Sequence, residues 1–359
     1  MPGPRVIVGM SGGVDSSVAA ALLQQQGYDV VGVTMRLWTQ PDPEGFSGRK
    51  QCCSIEDVDD ARRVAQKLGI RHYTLNLERQ FNDRVVDYFV GEYARGRTPN
   101  PCLACNEHIK FKALLERAVA LDADFLATGH YARRSEHGGR FHLLRAADPD
   151  KDQSYVLYTL GQQELRRVLF PLGELNKPQV RAIAAELGLG VAQKPDSVEI
   201  CFIPGNDYRA FVSARVPQRA GAILDEHGVV VGEHRGIANF TVGQRKGLGA
   251  FGDRRFVTEI RPADNVVVIG PQEALLSRTL HATDLRWTQG APPDPDECVD
   301  VKIRYRSRPL PARLRIDGDR AEVSFAEPQR AVTPGQSAVF YRGDEVLGGG
   351  TICAAPPLA

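Results

Sequence analysis

Long apolar runs are missing from this 359-residue chain, in which no uninterrupted stretch approaches the roughly 20 residues that cross a bilayer. The opening residues, Met1-Pro-Gly-Pro-Arg-Val-Ile-Val, pass almost directly into a strand-like run and lack the basic and apolar segments of a secretory signal. No membrane partner is expected, and the expected location is the cytoplasm. An excess of either charge is also missing. With 45 Lys and Arg against 44 Asp and Glu, a net charge of +1 does not advertise nucleic-acid binding, so a polyanionic partner must be held by local patches. The 7 cysteines, an odd number in a chain expected to stay reduced, read as thiols, metal ligands or catalytic groups rather than as a disulfide framework. Internal repeats and low-complexity tracts are absent as well.

What is present is a soluble, globular composition, 42% hydrophobic and 25% charged, in a chain long enough for two or three domains. In the first half, apolar strand runs alternate with helical patterns. Val6–Gly9, Asp29–Leu37, Arg71–Asn76 and Asp124–Thr128 read as strands. Val18–Leu23, 54–68 and about 78–95 read as helical, with Ser54 as N-cap, Asp57 three residues on, and Ile55, Val58, Ala61, Val64, Ala65 and Leu68 as one apolar stripe. This alternation predicts a doubly wound α/β domain with a parallel sheet. After about Phe211 the helical period fades, and from Gly221 the segments are short, β-like and broken by turn residues. Gly270-Pro-Gln and the stretch Pro292–Asp300 are the candidate internal boundaries, the second being equally readable as a loop.

Residues Gly9-Met-Ser-Gly-Gly-Val-Asp-Ser-Ser lie between a strand and a helix, where backbone N–H groups receive an anion. Gly12 and Gly13 allow close approach to a phosphate, and Ser11, Ser16 and Ser17 offer hydroxyls. The absence of Gly-Lys-Ser/Thr excludes a Walker A loop, and G-x-G-x-x-G is also missing. The turn resembles the Ser-Gly-Gly-x-Asp-Ser loop of N-type ATP pyrophosphatases. That resemblance implies ATP as cosubstrate, AMP transfer to a substrate oxygen, and Asp15 helping to hold the Mg2+ that accompanies pyrophosphate.

Thr98-Pro-Asn-Pro-Cys-Leu-Ala-Cys-Asn carries Cys102 and Cys105, and Ser197-Val-Glu-Ile-Cys-Phe-Ile-Pro carries Cys201. A C-x-x-C before a helix (107–119) can present a thiolate. Taken alone it also reads as half a zinc site or a redox pair, although no second C-x-x-C or H-x-x-x-H completes four ligands.

The glycine turn, Cys52-Cys-Ser, Pro99-Asn-Pro-x-x-x-Cys-Asn, Ala127-Thr-Gly-His-Tyr-Ala, Lys151-Asp-Gln-Ser-Tyr, Cys201-Phe-Ile and Thr241-Val-Gly-Gln-Arg-Lys-Gly-Leu together resemble, in that order, the tRNA-specific 2-thiouridylases. The resemblance implies a catalytic domain over 1–211, a small β linker domain over 212–273 and a tRNA-binding C-terminal β-barrel over 274–359. It implies Cys105 as nucleophile and Cys201 as carrier of a persulfide supplied by a sulfur-donor protein such as a cysteine desulfurase or relay protein. ATP contacts are implied for Gly9, Met10, Ser11, Gly12, Gly13, Val14, Asp15, Ser16, Met35 and Gly129. Contacts to tRNA are implied for Asn100, Pro101, Cys102, His130, Lys151, Asp152, Gln153, Arg304, Tyr305 and Gln336. Where many members carry an acidic residue, this chain has Cys102. That leaves open a second route, in which Cys102, Cys105 and Cys201 hold three irons of a [4Fe–4S] cluster. Cys52, Cys53, Cys298 and Cys353 read as structural.

The implied reaction is adenylation of the uracil C2 oxygen, which creates a leaving group, followed by attack of sulfur at C2. A generic AMP-forming ligase of the same fold and a non-enzymatic RNA-binding protein are the alternative classes. In Val301-Lys-Ile-Arg-Tyr-Arg-Ser-Arg the alternation predicts a strand with Lys302, Arg304, Arg306 and Arg308 on one face, which by itself reads as a solvated face, and Arg313 and Arg315 nearby shift the reading toward a phosphate-binding stripe. Lys151, Asp152 and Gln153 by themselves read as a turn, and His130 as a satisfied structural histidine.

Overall fold

The computed structural model describes residues 3–38, 55–196, 200–203, 205, 207–249, 251, 253–295 and 297–354. Cys52, Cys53 and the Ser54 cap fall outside these residues.

The first module contains β1 (Arg5–Gly9), β2 (Asp29–Arg36), β3 (Arg71–Asn76), β4 (Phe125–Thr128), the hairpin β5 (Arg133–His137) and β6 (Arg140–Leu144), and β7 (Val168–Leu169). Five of these form a parallel sheet in the order β3-β2-β1-β4-β7. Val6, Ile7 and Val8 on β1 are all buried, which explains a continuous rather than alternating apolar run. Helix α1 (Val14–Gln25) lays Val14, Val18, Ala19, Ala20 and Leu23 on one face of the sheet together with Ala61, Val64 and Ala65 of α2 (Ile55–Leu68). Phe111, Leu114 and Ala118 cover the other face. At about 1.5–3 kcal/mol per large buried apolar side chain, these two layers hold the sheet rigid. The chain leaves β1 toward β2 and β3 on one side and reaches β4 and β7 on the other. The crevice between β1 and β4 is therefore the switch point where α/β sheets receive ligands.

The second module is a four-stranded sheet, β10-β11-β8-β9, made from β8 (Gly221–Leu224), β9 (Val230–His234), β10 (Phe256–Arg261) and β11 (Val266–Gly270). A short helix, Tyr208–Ser213, precedes it and spans the position where the helical period fades. The third contains β12 (Leu276–Trp287), β13 (Cys298–Lys302), β14 (Leu310–Asp317), β15 (Arg320–Arg330), β16 (Ser337–Arg342) and β17 (Glu345–Cys353). Pairing of β12 with both β15 and β17 closes these six strands into a barrel. The stretch that begins at Pro292 lies between β12 and β13 and ends inside β13, so it falls within the barrel. The β5–β6 hairpin adds to the barrel through Leu144 opposite Glu345 on β17, so the barrel is welded to the first module.

One expectation fails here. The strand predicted through Arg308 stops at Lys302 because a turn follows, closed by Ser307 N–H to Arg304 O at 3.1 Å and Arg304 N–H to Ser307 Oγ at 3.1 Å. A side-chain hydroxyl offering the backbone its own partners competes with the ladder and ends the strand. The four cations therefore share no strand face.

Candidate functional site

At the carboxyl end of β1, the pairing with β2 runs one residue further through Met10 N–H to Val33 O (2.8 Å) and Thr34 Oγ1 to Met10 O (2.8 Å). The turn that follows is set by its serines. Ser11 N–H donates to Ser16 Oγ at 3.0 Å, and the Ser17 hydroxyl donates to Gly13 O at 2.8 Å. Gly12 has φ +70°, and a Cβ there would lie 2.2 Å from Asp57 O, so both conformation and space demand glycine. Gly129, just beyond β4, packs on the Ser16 amide, where a Cβ would stand 2.6 Å from the nitrogen. Gly9, Val14 and Asp15 complete the turn, and half-buried Met35 sits at the end of β2. The residues expected to hold ATP thus surround the start of α1 at the switch point.

Two lysines missed in the sequence reading close this crevice. Lys177, buried at the first turn of the helix Lys177–Glu186, donates to both Asp15 oxygens at 2.7 and 2.8 Å and pairs with Asp196 at 2.8 Å. Lys194 donates to Gly12 O at 2.9 Å, to Asp57 at 2.7 Å and to Asp60 at 2.6 Å. The Tyr131 hydroxyl donates to Asp15 at 2.8 Å. Burial works against the Lys194 ammonium, but the hydrogen bonds to Asp57 and Asp60 win and hold its pKa up. Burial likewise works against the Asp196 carboxylate, and Lys177 and Lys151 more than offset it, so its pKa is lowered. Lys177 sits in the local signature Asn176-x-x-Gln179, a capping box that the structure contains, but no local signal says that its amine reaches the glycine turn.

A continuous helical run over 101–120 carries the thiols. Asn100 caps it, accepting Cys102 N–H at 3.1 Å, and Pro101 stands buried at the first position. From Cys105 to Ala113 the spacing widens to that of a π-helix, an irregularity often found at functional sites. Cys102 is exposed and Cys105 is buried. Partly buried Cys201 packs against the same cluster as Cys105, which includes Ala104, Phe89, Phe202 and Ile203.

Other expected RNA contacts occupy structural positions. His130 is buried, with Nδ1 2.7 Å from Thr128 Oγ1 and Nε2 3.5 Å from Lys110 Nζ, and burial followed by the Lys110 charge keeps it neutral by lowering its pKa. Lys151 pairs with Asp196 at 2.9 Å, and Gln153 Oε1 accepts Tyr131 N–H at 2.9 Å. Asp152 organises a turn by accepting from Ala146 N–H and Ser154 N–H, both at 3.1 Å. Arg304 donates to Ala331 O and to Thr333 Oγ1. The Gln336 amide donates to Thr98 O at 2.8 Å. Tyr305 is more open, and burial followed by the Asp152 charge raises its pKa. Lys302 Nζ lies 5.7 Å from the ring centres of both Tyr155 and Tyr305.

An Asp15 oxygen beside a phosphate-receiving turn fits Mg2+, which commonly takes one or two carboxylates plus phosphate oxygens, provided that the ion shares Asp15 with Lys177. Among the described residues, no three His, Cys, Asp or Glu side chains are grouped to hold one metal ion. No helix among them is long and apolar enough to cross a membrane.

Residues 4–205 match the family described as tRNA methyl transferase HUP domain, 209–271 its PRC-barrel domain, and 277–352 the aminomethyltransferase beta-barrel domain. The tRNA-specific 2-thiouridylase of Heliobacterium modesticaldum is 53% identical over 355 residues, covering 97% of this chain and 92% of that protein. Those of Clostridium perfringens and Geobacter metallireducens are each 50% identical, over 352 and 361 residues. They cover 97% and 98% of this chain and 98% and 97% of their own lengths.

Proposed function

The chain belongs to the tRNA-specific 2-thiouridylase family, and from that premise we propose that it uses ATP to thiolate the wobble uridine of tRNA at C2. ATP bound at Gly9–Ser16 transfers AMP to the uracil C2 oxygen. The Ser11–Gly13 backbone and Lys194 face the phosphates, while Lys177 and Asp15 meet the departing pyrophosphate. Mg2+ held by Asp15 would supply charge neutralisation there.

Sulfur arrives as a persulfide on Cys201, loaded by a sulfur-donor protein. Its terminal sulfur bonds to C2, and AMP leaves with the former carbonyl oxygen. The Cys105 thiolate then attacks Cys201 Sγ and breaks the bond to the transferred sulfur. That sulfur stays on the base, and a Cys105–Cys201 disulfide remains for a cellular dithiol to reduce. The wobble base sits in a single-stranded loop, so extruding it costs a few kcal/mol.

The observation that carries this reading is the joint presence of an anion-receiving glycine turn and the packing of Cys201 against the Cys105 cluster, from distant parts of the sequence. A methyl-transfer reading, suggested by the wording of the family description, has no use for an AMP-forming turn. The test is nucleoside mass spectrometry of tRNA incubated with ATP, Mg2+ and a sulfur source. Cys201→Ser should still make adenylated tRNA with release of pyrophosphate, Cys105→Ser should accept sulfur on Cys201 without completing transfer, and neither should yield 2-thiouridine. Formation of 2-thiouridine by Cys201→Ser would remove the persulfide step.

A further inference from the structure

In the segment leading into the cysteine helix, Arg97 is tied to Glu92 of its own domain through its N–H at 2.9 Å, whereas the next residue, Thr98, is held by the two β modules. Thr98 N–H donates to Pro334 O at 2.8 Å, and Thr98 O accepts from Gln336 Nε2 at 2.8 Å. The Thr98 hydroxyl donates to Thr241 Oγ1 at 3.1 Å. Every polar atom of Thr98 is thus engaged, two by the barrel and one by the middle module.

The approach is close as well as bonded. Gly335 has φ +90°, and a Cβ there would stand 2.8 Å from Thr98 N and 3.0 Å from Arg97 Cβ. Behind it, Arg304 holds Ala331 O and Thr333 Oγ1, which fixes the barrel loop that offers Pro334, Gly335 and Gln336. Gly243 of the middle module faces Ala331 in turn, with a would-be Cβ contact of 2.9 Å. Two residues beyond Thr98, Asn100 caps the helix that carries Cys102 and Cys105.

We propose that this joint is a positioning latch: seating of tRNA on the β modules is transmitted through Gln336, Gly335 and Thr241 to Thr98, and so sets Cys105 for sulfur transfer. The idea rests on the sulfur-transfer reading above. A displacement of about 1 Å at a reacting group costs up to about 100-fold in rate, so one loop anchor is enough to matter. The nucleotide turn lies outside this control. Its contacts run to Asp57, Tyr131, Lys177 and Lys194, and none of these bonds reaches the joint. Gln336 and Thr98 are therefore positioning residues that govern the second half-reaction more than the first.

The experiment measures the ratio of 2-thiouridine made to pyrophosphate released, in the full chain with tRNA, ATP, Mg2+ and a sulfur source. Gln336→Leu removes the donor to Thr98 O and should lower that ratio by about tenfold, the scale of one missing hydrogen bond at a reacting site. Gly335→Ala pushes on Thr98 from the barrel side and should lower the ratio in the same direction. Thr98→Ser keeps all three bonds and should retain the parent ratio. Equal loss of pyrophosphate release and 2-thiouridine in folded Gln336→Leu protein would overturn the latch, because a merely structural role reduces both. A raised KM for tRNA at constant ratio would overturn it too and make Gln336 a direct RNA contact. Parent protein that releases pyrophosphate but makes no 2-thiouridine would instead defeat the underlying reading of the reaction.

Discussion

In the nucleotide half of the crevice most functional groups come from one turn, Gly9–Ser16, closed by two lysines, whereas the thiol half is assembled from all three modules. Cys105 lies on a helix of the first module, Cys201 comes from a distant segment, and the loop before the helix hangs on Thr241 and on Pro334 and Gln336. The difference is one of how position is secured. A phosphate site can be made from consecutive backbone amides, because the anion is symmetric and tolerant. The two thiols, in the sulfur-transfer reading proposed above, need side chains placed independently, and that placement falls to long-range packing.

The sharpest way to break this contrast is Gly12→Ala. A side chain at φ +70° against Asp57 O should distort the turn and lower tRNA-dependent AMP formation by about 100-fold, measured as AMP release. Activity within a few-fold of the parent would mean that the turn is not the nucleotide site.

A smaller effect is expected from Lys177→Met, which leaves Asp15 and Asp196 without their shared cation. Both carboxylates are about one-third exposed, so the cost is put at about 1–2 kcal/mol rather than at the full value for a buried pair. A lower urea midpoint should show it. The parent's acid limb follows from the sign of the Asp196 shift. Its folded pKa is depressed, so its contribution is present above the ordinary carboxylate value of 3.8 and is lost as pH falls through the folded pKa. In Lys177→Met that limb should flatten, and an identical limb would deny that Lys177 stabilises the carboxylate.

His130 is buried neutral with a depressed pKa, so its contribution is present above 6.5 and declines as pH falls below that value toward the folded pKa. His130→Gln should reduce the slope of stability against pH just below 6.5, read from urea midpoints, while leaving the more acid limb of Asp196 in place. The smallest change is expected from Arg306→Glu with Arg308→Glu on the exposed turn after β13. The salt slope of tRNA binding should flatten by up to about 0.7 for each phosphate that is no longer neutralised, and an unchanged slope would make both residues simple solvated charges.

The same contrast decides what could be read from the sequence. β1, the glycine turn and α1 were legible because period, turn chemistry and motif all lie within one stretch. Arg304 was misplaced because alternation suggested a continuing strand, whereas Ser307 supplies a local turn that competes with the ladder. Lys177 and Lys194 escaped notice because an ordinary lysine at a helix start or in a loop gives no sign of reaching Asp15 or Gly12. Gln336 was singled out, but its bond to Thr98 O was beyond any local pattern.

The β5–β6 hairpin against β17 carries a consequence for how the protein is made. Leu144 pairs with Glu345, Arg145 N–H donates to Asp344 O at 2.8 Å, and Arg133 pairs with Asp344 at 2.7 Å. A ribosome finishes the hairpin long before it reaches β17, so throughout that interval the growing chain displays an open strand edge that only its own later residues can cover. Non-local pairing of this kind folds slowly and exposes the chain to mispairing with neighbours. Until β17 arrives, the polypeptide has a nucleotide fold but an exposed seam, and chaperone demand should peak between the emergence of residues 144 and 345.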